Sequence, residues 1–286
     1  MSTALSTTPR CALLIVAAGA GTRLGAGRPK ARVELSDGRT ILEHCLQGGL
    51  QAYRGDSGGA GRLAGAVVVV PGSPEVAQPL VQLCEQIAER TGHRVLTVPG
   101  GAERSDSVRA GLAACAALGE QSDRPVTHVL VHDAARPFVP PAVFQRVVDA
   151  LEAGAAAVVP AVPVTDTVKT VAPWPGAGPV PLRVVDTPAR AALRAVQTPQ
   201  GFVLDQLAEA HRRAQEAGGD AAALTDDSML MEAAGHTVAV VDGDVESFKI
   251  TTALDLQLAD ALLQTRSASD DSPPCPQAAA TERTLA

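Results

Sequence analysis

Apolar residues fall along this chain in short unbroken runs separated by longer stretches of mixed pattern. CALLIVAA (11–18), VVVV (67–70), RVLTV (94–98), HVLVHD (128–133) and a run at 156–160 are each bounded by turn-forming residues. Runs of that length read as strands buried on both faces. The intervening stretches carry helical periodicity at 40–53, 75–91, 104–118 and 141–153. TILEHCLQGGLQAY opens with Thr40 as a helix cap and Glu43 at the reciprocal capping position. Buried strands alternating with helices predict crossover units and a mostly parallel sheet, an α/β fold. In such sheets ligands sit beyond the carboxyl ends of the strands. Three small-residue or polar segments fall there: Ala18–Lys30, Gly100–Ser107 and Asp133–Pro137.

The alternation breaks at residues 163–190. PVTDTVKTVA and PLRVVD are short and β-rich, with PWPGAGP between them. That pattern predicts a β-hairpin arm. A projecting hairpin cannot bury a face by itself, so the arm is expected to pack on a second copy of the chain. QTPQGF (197–202) is placed at the end of the next strand. Helices near 203–217 and 226–234, strands at 237–242 and 247–251, and a helix to about 263 follow. Residues 1–9 and the polar, Pro- and Ala-rich segment 265–286 have the composition of disorder, which leaves a single domain over 10–264.

Composition narrows the chemistry. The net charge of −7 argues against a nucleic-acid-coating surface, which needs clustered excess cations. Any anion site must therefore be local. Aromatics make up 2% of the residues, so the core is built from Ala, Val and Leu. The five cysteines are scattered and include no CxxC pair, which fits reduced thiols in the cytoplasm and neither a disulfide framework nor a zinc site. No apolar run reaches the roughly 18 residues of a membrane helix. Of the 24 basic residues 21 are Arg, leaving Lys30, Lys169 and Lys249. In so Arg-rich a chain, a retained lysine marks either chance or a place where a compact ammonium is needed.

The three segments at the strand ends have matching chemistry. AAGAGTRLGAGRPK offers close backbone N–H groups, Arg23 and Lys30 to a polyphosphate, or else is an ordinary tight turn. Its glycines, Gly19, Gly21 and Gly25, are spaced GxGxxxG. That matches neither the dinucleotide fingerprint nor, with Ala31 after Lys30, the P-loop. PGGAERSDSV places two glycines, Gly100 and Gly101, before a helix N-terminus whose free N–H groups, with Ser105 and Ser107, suit a base or phosphate, or else Ser105 merely caps the helix. VHDAARPF ends a strand with Asp133 and Arg136, which form either an ion pair or part of a site. His132 is read as structural or as a neutral donor. His44, His93, His128, His211 and His236 are read as surface or capping residues, since none has a ligand-spaced partner. In TDDS, Thr225 is expected to cap a helix whose dipole Asp226 and Asp227 complement.

In this order, VAAGAGTRLG…PK, GGAERSDSV, LVHDAARPF, PVTDTVK, QTPQGF, LTDDSMLME and FKITTALDL resemble the motifs of the 2-C-methyl-D-erythritol 4-phosphate cytidylyltransferases. The resemblance covers about Cys11 to Asp260 and contains all three lysines. It implies a Rossmann-like nucleotidyltransferase fold with a swapped arm dimer, and transfer of CMP from CTP to methylerythritol phosphate. By resemblance, Arg23, Lys30 and Lys249 would be catalytic. Ala17, Ala18, Gly19, Gly21, Gly101 and Ser107 would bind CTP. Asp133, Arg136, Thr167, Arg190 and Thr198 would bind the polyol phosphate, with Thr167 and Arg190 coming from the partner's arm. Mg²⁺ would be held mainly by CTP phosphates, with no dedicated protein ligands. Ala31-Arg32, Ala102 and Ser247 depart from the family pattern, which favours Gln with an aromatic residue, an acid and Asn at those places. A ribitol 5-phosphate cytidylyltransferase shares several of these motifs, but PVTDTVK and HDAARPF favour the methylerythritol enzyme. A dinucleotide-dependent oxidoreductase is disfavoured by the glycine spacing. A non-catalytic nucleotide-binding regulator is the remaining alternative.

Overall fold

The computed structural model describes residues 9–19, 28–53, 62–120, 124–175, 181–218 and 226–270, the side chains of 268–270 excepted. Strands β1 (Cys11–Val16), β2 (Leu63–Val70), β3 (Val95–Pro99) and β4 (His128–Asp133) alternate with helices α1 (Ile41–Gln51), α2 (Pro74–Thr91) and α3 (Arg104–Glu120). Then come α4 (Pro141–Glu152), β5 (Ala157–Pro163), the arm strands β6 (Thr170–Pro173) and β7 (Leu182–Asp186), β8 (Arg194–Val196) and β9 (Gln200–Val203). Helices α5 (Leu204–Glu216) and α6 (Asp227–Ala233), strand β10 (Val238–Asp242) and helix α7 (Ala253–Asp270) complete the chain. The central sheet runs β10-β5-β9-β4-β1-β2-β3. It is parallel except where β9 runs against β4 and β5, and where β8 runs against β5.

Alternation along the buried strands sends side chains to two apolar layers. Cys11, Leu13 and Ile15 of β1 face a cluster that includes Leu46, Leu80 and Phe144 from α1, α2 and α4. Ala12 and Leu14 face the opposite cluster, with Leu112, Leu207 and Met231 from α3, α5 and α6. Both faces are covered, as the unbroken apolar runs require. Gly111 lets α3 lie close on β1, because a Cβ there would run into the Leu14 side chain. A third cluster seats α7 through Ala259 and Leu263 against Val33, Ile41, Phe138 and Ile250.

Several local expectations change. Thr40 caps α1 by accepting from the Glu43 N–H at 3.1 Å. The Glu43 carboxylate, however, turns to Arg90 at 3.0 Å instead of closing the reciprocal bond. QTPQGF joins two strands, β8 and β9, rather than ending one. The segment 247–251 is not a strand. Ser247 closes a 3-10 turn (Val245–Ser247), and 248–251 runs on as a strap, held by Ile250 N–H to the Ala135 carbonyl at 2.9 Å and by Arg136 on the Ser247 carbonyl at 2.6 Å. Helix α7 runs on to Asp270, past the boundary at 264 expected for the domain. At its start Thr252 Oγ1 accepts from the Asp255 N–H at 3.3 Å, and the Asp255 carboxylate accepts from Thr251 N–H and Thr252 N–H at 2.8 and 2.7 Å. Helix α6 is capped by Asp226, which accepts from Met229 N–H at 2.9 Å; Thr225 lies outside the described residues.

The arm forms as a separate two-stranded sheet, β6 antiparallel to β7. Val171, Trp174, Leu182, Val184 and Val185 all stand exposed on it. Lys169 donates to Thr187 Oγ1 at 2.8 Å across its base.

Candidate functional site

A cleft of about 490 Å³ opens at the carboxyl ends of β1 and β4, between the start of α3 and the strap before α7. Strand register sets its floor. Val16, the last residue of β1, pairs with Asp133, the last residue of β4. Ala17, Ala18 and Gly19 continue one wall, and Ala134 and Ala135 form the facing one. Small side chains on both sides leave the backbone accessible. Beyond them the chain returns through a short 3-10 turn at Lys30–Arg32. Lys30 reaches across to the Ile250 carbonyl at 2.7 Å, tying the first loop to the strap.

The third wall is the N-terminus of α3. Gly100 N–H bonds the Val70 carbonyl at 2.7 Å, which brings the turn after β3 against the end of β2. Gly101 N–H then donates to Ser107 Oγ at 3.2 Å, and that hydroxyl donates to the Glu103 carbonyl at 3.1 Å. A Cβ at Gly101 would collide with Asp106, so this turn demands glycine. Ser105 lies inside the helix and does not cap it; Asp106 accepts from the Glu103 N–H at 3.1 Å instead. The unpaired N–H groups and dipole of this end favour an anion or a polar acceptor.

Charge in the cleft is paired but accessible. Lys249 Nζ lies 2.6 Å from Asp133 Oδ2, joining residues 116 positions apart. Burial works to raise the Asp133 carboxyl, but Lys249, Arg104 and Arg136 outweigh it and hold the group below its ordinary value. Asp133 is therefore an anion at neutral pH, and Lys249 keeps two further N–H donors for a ligand. His132, directly behind, is pushed down to about 4 chiefly by burial, and so is neutral. Its Nδ1 meets Thr198 Oγ1 at 2.7 Å, and the same hydroxyl accepts from the Asp133 N–H at 3.1 Å. Thr198 thus braces the end of β4 from a buried position instead of lining the cleft.

One cationic lining residue is not among those singled out from sequence. Arg104, the first residue of α3, sits in the cleft with its Nη2 2.8 Å from Asp227 Oδ2. Asp227 is fully buried, and its Oδ1 contacts His211 Nε2 at 2.9 Å. Asp227 therefore serves as more than a dipole complement at α6, and His211 is a core residue, not a surface one. His44 is likewise buried, against Asp37 at 3.1 Å. Arg104–Asp227 spans 123 positions, so neither periodicity nor a local motif signals it.

Of the residues singled out from sequence, Ala17, Ala18, Gly19, Lys30, Gly101, Ser107, Asp133 and Lys249 line this one cleft. Arg136 does not. Its guanidinium is engaged by the Ser247 and Val196 carbonyls at 2.6 and 3.4 Å, where it holds the strap that carries Lys249. Thr167 and Arg190 lie at the base of the arm, with Arg190 donating to the Thr165 carbonyl at 2.9 Å. Gly21 and Arg23 fall outside the described residues. Among the described residues, no three His, Cys, Asp or Glu side chains gather as a metal-binding group.

A sequence profile for the family described as IspD, 2-C-methyl-D-erythritol 4-phosphate cytidylyltransferase, matches residues 11–265. A protein of that name from Rhodococcus jostii (strain RHA1) is 45% identical over 251 residues, covering 88% of this chain and 94% of its own length. Its counterpart from Streptomyces coelicolor is 44% identical over 265 residues, 91% of this chain and 87% of the relative. Among solved structures, the 2-C-methyl-D-erythritol 4-phosphate cytidylyltransferase of Thermus thermophilus superimposes with a TM-score of 0.64 at 34% identity. That match covers 89% of this chain and 99% of that one.

Proposed function

Because this chain belongs to the 2-C-methyl-D-erythritol 4-phosphate cytidylyltransferase family, we propose that it transfers CMP from CTP to that polyol phosphate, releasing pyrophosphate. The observation that carries the reading is the convergence of Lys30 and Lys249, 219 positions apart, on one cleft that also holds the α3 N-terminus. A phosphate monoester has a second pKa of about 6, so it is largely a dianion at neutral pH and needs no general base. Its oxygen attacks the α-phosphorus while the P–O bond to the β-phosphate breaks, and pyrophosphate carries the electron pair away. What the protein supplies is alignment and positive charge. The wall of Ala17, Ala18 and Gly19 and the start of α3 seat the nucleotide, with Gly101 and Ser107 beside the base. Lys30 and Arg23 neutralise the triphosphate. Lys249, oriented by Asp133, meets the attacking phosphate.

Divalent-metal use fits this donor set. Among the described residues two carboxylates line the cleft, Asp133 and Glu103, and Asp133 is engaged by Lys249, so Mg²⁺ would be held chiefly by CTP oxygens and water. When bound, the ion neutralises charge developing on the phosphates.

The arm's exposed Val171, Trp174, Leu182, Val184 and Val185 support a homodimer. In it the partner's arm would bring Thr167 and Arg190 to the polyol phosphate, while Arg136 acts by holding the strap. We place the enzyme in the cytoplasm. Among the described residues no helix is long and apolar enough to cross a membrane. Pyrophosphate release from CTP is the test: it should require Mg²⁺ and methylerythritol phosphate. Release with ribitol 5-phosphate but not with methylerythritol phosphate would overturn the substrate assignment.

A further inference from the structure

Arg104 brings a third cation to the cleft beside Lys30 and Lys249, and an unusually costly arrangement holds it there. Asp227 is 0% exposed and His211 2%, whereas Arg104 is 37% exposed at the cleft. Burial works to raise the Asp227 carboxyl, but His211 and Arg104 more than offset it, so the carboxylate stays charged in the interior. Burial likewise works against the Arg104 charge, and Asp227 outweighs it. Asp133 also stabilises that charge, which places the guanidinium within the field of the cleft's own carboxylate. A buried ion pair is a poor means of joining elements, since apolar packing does as well or better. Here α3 and α6 already share one apolar cluster through Val108, Leu112, Leu230 and Met231, so the pair is not needed to join them. What the pair adds is a fixed direction for a guanidinium that has four further N–H donors.

We propose that Asp227, backed by His211, is a positioning residue: it clamps Arg104 at the N-terminus of α3 so that the guanidinium meets the phosphates of the bound nucleotide. The inference rests on the transferase reading above and deepens it. Asp227 itself touches no substrate. It takes one edge of Arg104 through Oδ2, while His211 occupies Oδ1 and stops the carboxylate from rotating away. A lysine at 104 would keep the charge but lose the planar fork.

The test is a double-mutant cycle on the full chain with Mg²⁺: Arg104→Ala, Asp227→Asn and the double variant, read as kcat/KM for CTP and, without turnover, as CTP affinity by calorimetry. Asp227→Asn should lower kcat/KM about tenfold, mainly through KM. The double variant should be no worse than Arg104→Ala alone, because contacting residues that act as one unit are not additive. Where Asp227→Asn does not fold, His211→Gln probes the same clamp while leaving the ion pair in place. About threefold is expected there, again vanishing in the Arg104→Ala background. Losses that add in either cycle, or a variant that melts earlier while kcat/KM and CTP affinity stay within twofold, would overturn the proposal and leave a structural tether. Wild-type protein that binds CTP but transfers nothing would sink the transferase reading alone, and the calorimetric cycle would still decide the role of Asp227.

Discussion

Lys249→Ala is the substitution that asks most of this account. The ammonium stands 2.6 Å from Asp133, on a strap held by Arg136 and by the Ile250–Ala135 bond. Truncation removes the cation that faces the attacking phosphate and leaves the Asp133 charge confronting it, countered by Arg104 and Arg136. Two unit charges about 4 Å apart interact by roughly 4 kcal/mol at an effective dielectric of about 20. Lys249 is 40% exposed, so solvent screening takes part of that away. About 2–3 kcal/mol is left, which corresponds to a fall of roughly 30- to 150-fold and overlaps the 10²–10³ typical of losing one transition-state stabiliser. The loss should appear in kcat with methylerythritol phosphate, measured by coupled pyrophosphate release. The melting temperature should move little, because an exposed pair contributes at most about 1 kcal/mol to stability. A kcat within threefold of wild type in a folded protein would refute the assignment of Lys249 to the reacting phosphate.

Other consequences can be checked independently. Lys30→Arg keeps the charge but puts a planar fork where a compact ammonium reaches the Ile250 carbonyl; kcat should fall by at least tenfold, and near-normal activity would mean that the scarcity of lysine carries no functional information. Trp174 is the single tryptophan and is 49% exposed on the arm, so its emission should shift to the blue on dimerisation; light scattering should give a dimer at micromolar concentration, and a fully active monomer would refute the arm's role. His132 is held down to about 4, so between that value and its ordinary 6.5 the unfolded chain binds the extra proton and stability falls as pH falls. Over that window the loss approaches about 3 kcal/mol, and thermal melts from pH 7 to 5 should drop more steeply for wild type than for His132→Asn. Burial pushes the Cys11 and Cys84 thiols up to about 12 and raises Cys45 and Cys115 as well. Native protein at pH 8 should therefore give no more than one of its five thiols to an aromatic disulfide reagent.

The apolar runs locate β1, β2 and β4 because a strand buried on both faces carries few polar side chains, and those it carries, as His132 on Thr198, need a hydrogen-bond partner. The segments after β1, β3 and β4 must then share one edge of a parallel sheet. That is why Lys30, Gly101, Ser107 and Asp133 can be grouped from the amino-acid sequence alone. Long-range pairing is not legible there. Nothing local to Asp227 tells that its carboxylate faces Arg104 from α3 and His211 from α5, so it reads as an ordinary helix-start acid. The strap at 247–251 has the β-branched composition of a strand, but it is held by Ile250 N–H to the Ala135 carbonyl and by Arg136 rather than by a strand ladder. Arg136 is expected at the site only through the family resemblance; the structure turns its guanidinium to two backbone carbonyls. The arm is legible as a hairpin from its two short β-rich runs around PWPGAGP, and among the described residues Val171, Leu182, Val184 and Val185 stand exposed on it.

The central claim is a transfer of the cytidylyl group to the phosphate of methylerythritol phosphate with no protein-bound intermediate. Incubating the enzyme with Mg²⁺, methylerythritol phosphate and CTP carrying ³²P at the α-phosphorus tests it directly. The account predicts that all transferred label appears in the cytidyl diphosphate product, with one pyrophosphate per product and none on the protein. Label retained on the protein, or consumption of CTP without transfer of its α-phosphorus to the polyol phosphate, would contradict it.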